Sequence, residues 1–231
     1  MASQNLNTRP EDSQMLISYN LLRRIIGCIA FLLPIVLAIG GILYGGCTSI
    51  ENSISDYYHT EMRNILVGTL CAVAMFMFAY RGPNKSHKIS GNVACFSALC
   101  VAFFPTGIDT VSQCATNCMV YKSYIKTIHL ISALSFFGIL IYFSLKLFPS
   151  SKDATEMVCE QAKKRDTIYY ISGYVMLSCI ILIALYLLFE EQLIVFRNFK
   201  PVFVLEFVAL WAFGLAWMAK GQLFLKNTDN N

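Results

Sequence analysis

The chain has 231 residues, of which 56% are hydrophobic and 14% are charged, and its formal net charge is +4. Soluble domains carry about 25% charged residues, so this composition excludes an ordinary soluble domain and favours a membrane protein. A mild net charge spread over loop ends also argues against a nucleic-acid-binding surface, and we expect no nucleic-acid partner. The expected partner is membrane lipid.

Six apolar stretches follow one another along the chain, each close to the roughly 20 residues that a membrane span needs. The predicted spans are residues 25–44, 62–80, 89–104, 127–148, 168–189 and 201–219. In the third span, Ser90, Ala94, Ala98 and Ala102 recur every four residues and form a stripe of small side chains against which a neighbour can pack. We therefore predict an all-α fold, a polytopic integral membrane bundle of six transmembrane helices.

This pattern divides the chain into a polar N-terminal tail (1–20), a six-helix transmembrane domain (21–221) and a C-terminal tail (222–231). The N-terminal tail lacks the charged start and short apolar core of a signal peptide, so the first span is expected to stay in the membrane. Most of the 18 lysines and arginines fall in the segments that the six spans place on the same side of the membrane as the N-terminus. The positive-inside rule then predicts that both termini are cytoplasmic.

The second span is preceded by a polar, aromatic stretch, SISDYYHTEMRN, at residues 53–64. Charged groups at the mouth of a span are costly unless they find partners. With both termini inside, polar groups of four spans reach the same outer level, which predicts an outward-facing pocket lined by the second, third, fourth and sixth spans. The candidate ligand-binding residues are Asp56, His59, Arg63, Asp109, His129 and Glu206.

Two of these residues have specific predicted roles. Arg63 is expected to hold an anionic group of the ligand. Glu206 lies among apolar residues, so it either forms an ion pair with Arg63 or His129 that fixes helix register, or faces the ligand as an acid. The pocket as a whole predicts binding, sensing or permeation of a lipid headgroup or a small polar solute.

Two other functions stay open. The acids and histidines of the pocket suit zinc, whose bound water could attack a lipid ester or amide, but only Asp56 and His59 have a spacing that fixes ligand geometry. We therefore assign no metal and no cofactor. A structural or partner-binding subunit is the other alternative, because Gly41 and Gly45 have the spacing of a close helix contact, within the chain or in a homo-oligomer.

Several further side chains have simpler interpretations. Tyr57 and Tyr58 are predicted to lie at the outer membrane interface, where amphipathic rings settle. His87, between Lys85 and Lys88, is predicted to be a solvated residue of an inner loop. Three cysteines fall in outer loops, and they form either one disulfide or free thiols: Cys47, Cys114 and Cys118.

Four segments together resemble a family of bacterial six-span membrane proteins known only as a domain of unknown function. They are SISDYYHTEMRNILVGTL, AFFPTG at 102–107, His129 with Ser132 and Ala133, and ALWAFGLAWMAKG at 209–221. The resemblance covers residues 20–221 and implies a six-helix integral protein of a bacterial inner membrane. It implies no reaction.

Two shorter resemblances point towards lipids. The ISD triplet at residues 54–56 is similar to a motif of the DRAM-type and Frag-type six-span proteins, which are linked to lipid handling. Ser55, Asp56 and His129 resemble part of the serine, aspartate and three-histidine set of the membrane hydrolase superfamily that contains alkaline ceramidases. That superfamily has paired histidines in its last span, whereas the sixth span here contains Glu206 and no histidine.

Overall fold

The computed structural model describes residues 10–107, 122–149 and 160–225, with side chains from residue 19 onward. These ranges are almost entirely helical and contain no strand. The α-helices are α1 (Pro10–Leu43), α2 (Arg63–Ala79), α3 (Lys85–Phe103), α4 (Ser123–Tyr142), α5 (Glu160–Leu188) and α6 (Pro201–Lys220). A π-helical turn, Phe143–Leu147, continues α4, and 3₁₀ turns lie at Ser55–His59 and Ile194–Phe199.

Four helical segments are long and apolar enough to cross a membrane. They are Tyr19–Leu43, Ser123–Leu147, Glu160–Leu188 and Pro201–Lys220. Helix α2 is apolar but has 17 residues, about 26 Å at 1.5 Å per residue, against a hydrocarbon core about 30 Å thick. Helix α3 starts with the polar run KSHK and is less apolar. The described residues therefore confirm an all-helical fold with four helices able to span a membrane, while the count of six spans stays a prediction.

The helix ends differ from the predicted spans mainly where polar residues extend a helix into water. Helices α2 and α6 agree with prediction within one residue at each end. Helix α1 instead begins at Pro10, inside the predicted tail, and α5 begins at Glu160 rather than 168. The roughly two added turns of α5 are polar, with a 2.8 Å salt bridge from Lys164 to Glu160, which stabilises a solvated helix end.

The six helices pack in a ring, each against its neighbours in the chain, and α6 closes the ring against α1. The small stripe of α3 is buried as predicted, since Ser90, Ala94, Ala98 and Ala102 are all at most 5% exposed. Where α1 crosses α6, a Cβ atom on Gly27 would lie 2.7 Å from the Gly214 carbonyl oxygen. Glycine at this crossing therefore lets the two backbones touch.

Aromatic side chains fill the bundle at the end where α2 and α6 finish. We call this the packed end and define it by Tyr80, His87, Phe143, Phe148 and Trp217. Trp217 is fully buried, with the Tyr80 and Phe148 rings 5.2 Å from its own between centroids. His87 is buried here, with Nε2 3.2 Å from the Leu147 carbonyl oxygen. The prediction that His87 is solvated is therefore wrong, because α3 begins two residues before it.

The outer segment between α1 and α2 overturns one further prediction and supports the intramolecular alternative for Gly41. Tyr57 and Tyr58 are 1% and 8% exposed, so both pack inside the protein rather than at an open interface. Helix α1 ends at Leu43, so Gly41 and Gly45 do not share a helix face. A Cβ atom on Gly41 would lie 2.9 Å from the Tyr57 ring, which makes an intramolecular contact the reason for this glycine. A homo-oligomer stays a prediction.

Cys47, four residues after α1, is disulfide-bonded. The other described cysteines are free thiols: Cys28, Cys71, Cys95, Cys100 and Cys179. Of the two alternatives that the sequence left open, three free thiols are therefore excluded. Cys114 and Cys118 lie outside the described residues.

Candidate functional site

Residues 51–59 form the centre of the site, and α6 holds them in place. The Ile54 N–H donates a 2.6 Å hydrogen bond to Glu206 Oε2. The Phe203 N–H donates to the Asn52 carbonyl oxygen at 2.9 Å, and Lys200 Nζ donates to Asn52 Oδ1 at 2.8 Å. Glu206 is thus paired with a backbone N–H group rather than with Arg63 or His129, the two partners that the sequence predicted.

Asp56 forms hydrogen bonds within this segment and with a residue just after α3. Its Oδ2 atom accepts a hydrogen bond from the Ser53 N–H at 3.0 Å, and the Asp56 N–H donates to Ser53 Oγ at 3.1 Å. Its Oδ1 atom accepts from Thr106 Oγ1 at 3.0 Å. Burial raises the pKa of the Asp56 carboxyl above its usual 3.8, and these hydrogen bonds partly offset that rise.

His59 is also fixed by the end of α3. Its Nε2 atom lies 3.1 Å from the Thr106 carbonyl oxygen, and because a carbonyl only accepts, this nitrogen carries the proton. Asp56 and His59 therefore meet on Thr106, which the sequence did not single out. Two residues of one short turn are thus oriented by a single residue beyond α3.

His129 contacts a serine hydroxyl through one ring nitrogen and a backbone carbonyl through the other. Its Nδ1 atom lies 2.6 Å from the Phe104 carbonyl oxygen and its Nε2 atom lies 3.2 Å from Ser55 Oγ. The carbonyl requires a proton on Nδ1, so in the neutral ring the unprotonated Nε2 faces the serine hydroxyl. Ser55 then donates its hydroxyl proton to Nε2. The Phe104 carbonyl therefore fixes the orientation of the ring, and the basic nitrogen faces the Ser55 hydroxyl.

A cavity of about 590 Å³ lies beside these residues. Its polar side consists of six of the residues 51–59, two residues that follow α3, the connection from α5 to α6, and the nearest ends of α4 and α6. Its apolar side consists of two stripes, each with helical spacing along one helix face. They are Leu130, Ala133, Leu134 and Phe137 of α4, and Ile180, Ile183, Ala184 and Leu187 of α5. The volume is in the range of small-molecule and cofactor sites.

The candidate residues separate into two groups. Asp56, His59, His129 and Glu206 all line the cavity. Arg63 is not among the lining residues: its Nη2 atom donates to Tyr58 Oη at 2.7 Å, and its guanidinium lies 4.3 Å from the Tyr58 ring centroid. Asp109 lies outside the described residues. The walls also differ from prediction, because α5 supplies one wall and α2 supplies none.

Charged side chains of both signs surround the polar side. The cations in the lining are Lys126, Arg197 and Lys200, and the acids are Glu51, Asp56, Glu190 and Glu206. The sequence missed these cations because each stands at a helix end, where basic residues are common for reasons of topology alone. Among the described residues, no group of three or more His, Cys, Asp or Glu side chains is placed to hold a metal ion.

Comparisons with family models, with curated proteins and with solved structures found no match to this chain. The resemblances drawn from its motifs therefore stay predictions. Its function has to be argued from the cavity and the residues around it.

Proposed function

We propose that this membrane protein binds a phospholipid in the cavity, with the headgroup among the polar residues and an acyl chain between α4 and α5. The single observation that carries the proposal is the division of one cavity into a charged side and an apolar side. A small polar solute would need only the charged side. An amphiphile matches both.

The apolar side has the form of a groove that follows the helices. From His129 to Phe137 the α4 stripe extends about 12 Å at 1.5 Å per residue. Leu130, Leu134 and Leu187 line the cavity and are still 45–47% exposed, so the groove is open on the surface of the helices. On this proposal an acyl chain enters sideways from the bilayer.

Six spans with both termini in the cytoplasm put the cavity on the outer side of a bacterial inner membrane. The disulfide of Cys47 supports this orientation, because disulfides persist in oxidising compartments such as the periplasm. Cations at the opposite end support it too: Arg24 Nε donates to the Gly221 carbonyl oxygen and Lys220 Nζ to that of Phe148. The cavity then faces the outer leaflet.

Charges of both signs favour a zwitterionic headgroup over an anionic one. Lys126, Arg197 and Lys200 suit a phosphate, and the acids on the same side suit an ammonium group. Binding is favoured over permeation because the aromatic rings of the packed end fill the bundle beyond the cavity. The headgroup we propose is phosphoethanolamine.

Thermal unfolding of the purified protein in detergent tests this proposal. Phosphatidylethanolamine at about 100 times its Kd stabilises by about 2.7 kcal/mol, so the midpoint should rise by roughly 5–10 °C. Phosphatidylglycerol should give a smaller rise. Ala184→Trp fills the groove and should abolish the rise. Leu185→Trp is the matched control, since Leu185 is the next residue, is 45% exposed and does not line the cavity.

Glycerophosphoethanolamine separates a lipid from a free solute, because it carries the headgroup without acyl chains. We expect it to leave the midpoint unchanged at the same concentration. An equal rise with this compound would show a solute site. A rise with phosphatidylethanolamine that persists in Ala184→Trp would show that the lipid binds elsewhere.

A further inference from the structure

We propose that Ser55 and His129 form a nucleophile–base pair that hydrolyses an acyl ester of the lipid bound in the cavity. The inference rests on the proposed function, because the substrate has to lie between α4 and α5 with its headgroup at residues 51–59. It assigns the site a reaction, acyl transfer from a lipid alcohol to water.

The geometry of the pair is that of a general base beside a hydroxyl nucleophile. Ser55 Oγ lies 3.2 Å from His129 Nε2. On the other side of the ring, Nδ1 donates a hydrogen bond to the Phe104 carbonyl oxygen, 2.6 Å away. A nucleophile, a base within hydrogen-bond reach and a third group that orients the base are the parts such catalysis needs. Here a backbone carbonyl is the third group, and it sets the tautomer that leaves Nε2 basic.

Two nearby hydroxyl groups, those of Thr60 and Ser53, have structural roles and can be compared with that of Ser55. Thr60 Oγ1 donates to the Tyr57 carbonyl oxygen at 2.9 Å and accepts from the Met62 N–H at 3.1 Å, so it links the 3₁₀ turn to the residue just before α2. Ser53 Oγ accepts from the Asp56 N–H. Ser55 Oγ faces a histidine of another helix and lines the cavity. Ser53 also lines the cavity, so the contact with His129 is what distinguishes Ser55 from these structural hydroxyl groups.

The position of the pair along the cavity fits an ester. Ser55 and His129 lie where the polar side meets the apolar stripe, which begins at Leu130. In a phospholipid the acyl carbonyl lies at the junction between the headgroup and the chain. A lipid bound as proposed therefore has its acyl carbonyl carbon beside Ser55 Oγ.

The reaction balances with water as the only co-reactant. Ser55 Oγ forms a bond to the acyl carbonyl carbon while its proton passes to His129 Nε2. The bond from that carbon to the glycerol oxygen then breaks, and the leaving alcohol takes the proton from Nε2. Water, deprotonated by the same nitrogen, attacks the acyl-serine, and the proton returns to Ser55 Oγ as the fatty acid leaves.

Asp56 stabilises the charged intermediate of this sequence. Asp56 directly follows Ser55, whose hydroxyl contacts the His129 ring, and its ionised carboxylate favours the positive charge that the ring has after it takes the serine proton. Thr106 keeps the carboxylate in place through its 3.0 Å hydrogen bond. Asp56 is a positioning residue here, because it touches neither the acyl group nor the serine hydroxyl in the described contacts.

Covalent labelling tests the pair directly. The full-length protein in mixed micelles is treated with an alkyl fluorophosphonate, and the adduct is located by peptide mass spectrometry. We expect labelling at Ser55 and release of fatty acid from phosphatidylethanolamine. His129→Gln should slow both by at least about 100-fold, since a general base contributes about 10²–10⁴. Ser55→Ala should abolish the adduct and slow hydrolysis at least as much.

Two control variants resemble the test variants chemically and lie away from the cavity lining. Ser97→Ala removes a serine that donates to Ser135 Oγ, and His87→Gln removes the histidine that contacts the Leu147 carbonyl oxygen. Both should keep the adduct and the rate. Absence of a Ser55 adduct in the wild-type protein overturns the inference, as does hydrolysis that Ser55→Ala leaves unchanged.

The lipid-induced rise in unfolding temperature distinguishes this failure from failure of the proposed function. If that rise is present and Ser55 is not labelled, the protein binds lipid and the catalytic inference is wrong. If the rise is absent from the wild-type protein, the proposed function itself is wrong.

Discussion

The two ends of the bundle use the same residue type in opposite ways. At the packed end, His87 lies 3.2 Å from the Leu147 carbonyl oxygen and its Nδ1 atom is buried with no hydrogen-bond partner in the described structure. At the cavity end, His129 lies 2.6 Å from the Phe104 carbonyl oxygen, and its other nitrogen meets a serine hydroxyl. A carbonyl orients each ring. The second ring nitrogen makes the difference: in His87 it has no partner in the described structure, whereas in His129 it contacts a hydroxyl group that could react.

The neighbours of the two histidines extend this contrast. The Tyr80 and Phe143 rings lie 6.2 and 6.4 Å from the His87 ring between centroids, and Trp217 joins the same cluster. Around His129 the lining turns from charged to apolar within one helical turn. The packed end therefore stabilises the bundle, and the cavity end is where the bundle leaves room for a ligand.

Trp217→Ala should give the largest change in stability. The side chain is fully buried among four rings, and removal of such a group costs about 3–5 kcal/mol. Phe137→Ala is the comparison at the cavity end, where the ring borders space that is already empty, and a smaller loss is expected. Unfolding in detergent measures both. Equal losses would show that the cavity wall supports the bundle as much as the packed end does.

Glu206 tests whether the cavity end also contains a structural contact. Glu206→Gln keeps an oxygen that accepts the hydrogen bond from the Ile54 N–H, so its stability should stay close to that of the wild-type protein. Glu206→Ala leaves this N–H group unsatisfied in a residue that is 6% exposed, at a cost of about 1–3 kcal/mol.

The same unfolding measurement compares the two Glu206 variants. Similar losses in both would mean that the negative charge, rather than the oxygen acceptor, holds residues 51–59 against α6. That result would return Glu206 to the ion-pair role predicted from the sequence. A loss in Glu206→Ala alone assigns the residue to the backbone tether.

The positions of the helices could be predicted well because a span needs a long apolar run, and this run is local in sequence. The bounds of α2 and α6 show this, since both agree within one residue. The extra turns of α1 and α5 are polar, so hydropathy gave no sign of them. His87 was misjudged for a similar reason, because its basic neighbours suggested a loop where α3 had already begun.

The cavity was predictable only in part, because its contacts join distant parts of the chain. Acids and histidines at one membrane level indicated Asp56, His59, His129 and Glu206. Arg63 fitted the same rule, but its guanidinium is held by Tyr58, five residues earlier. The α5 wall contains mainly apolar side chains, which look like any lipid-facing helix. The Ser55–His129 contact joins residues 74 positions apart, and no spacing rule finds it.

The smallest expected effect is the pH dependence that Asp56 contributes at the cavity end. Burial raises the pKa of Asp56 above 3.8, so the folded protein binds the proton more tightly than the unfolded chain does. The resulting stabilisation is fully present below pH 3.8 and is lost as the pH rises through the raised pKa. The wild-type protein should therefore gain stability relative to Asp56→Asn as the pH falls from 7 towards 4.

Thermal unfolding of both proteins across that range measures the difference, and Trp217→Phe is the control at the packed end. That substitution changes no ionisable group, so its difference from the wild-type protein should not vary with pH. If the wild-type protein instead loses stability relative to Asp56→Asn on acidification, the hydrogen bonds from Thr106 and Ser53 outweigh burial, and the pKa of Asp56 is lowered rather than raised in the folded protein. Asp56 stabilises a protonated His129 only when it is ionised, so the pH at which the difference between the two proteins changes also marks the pH above which the proposed reaction has this support.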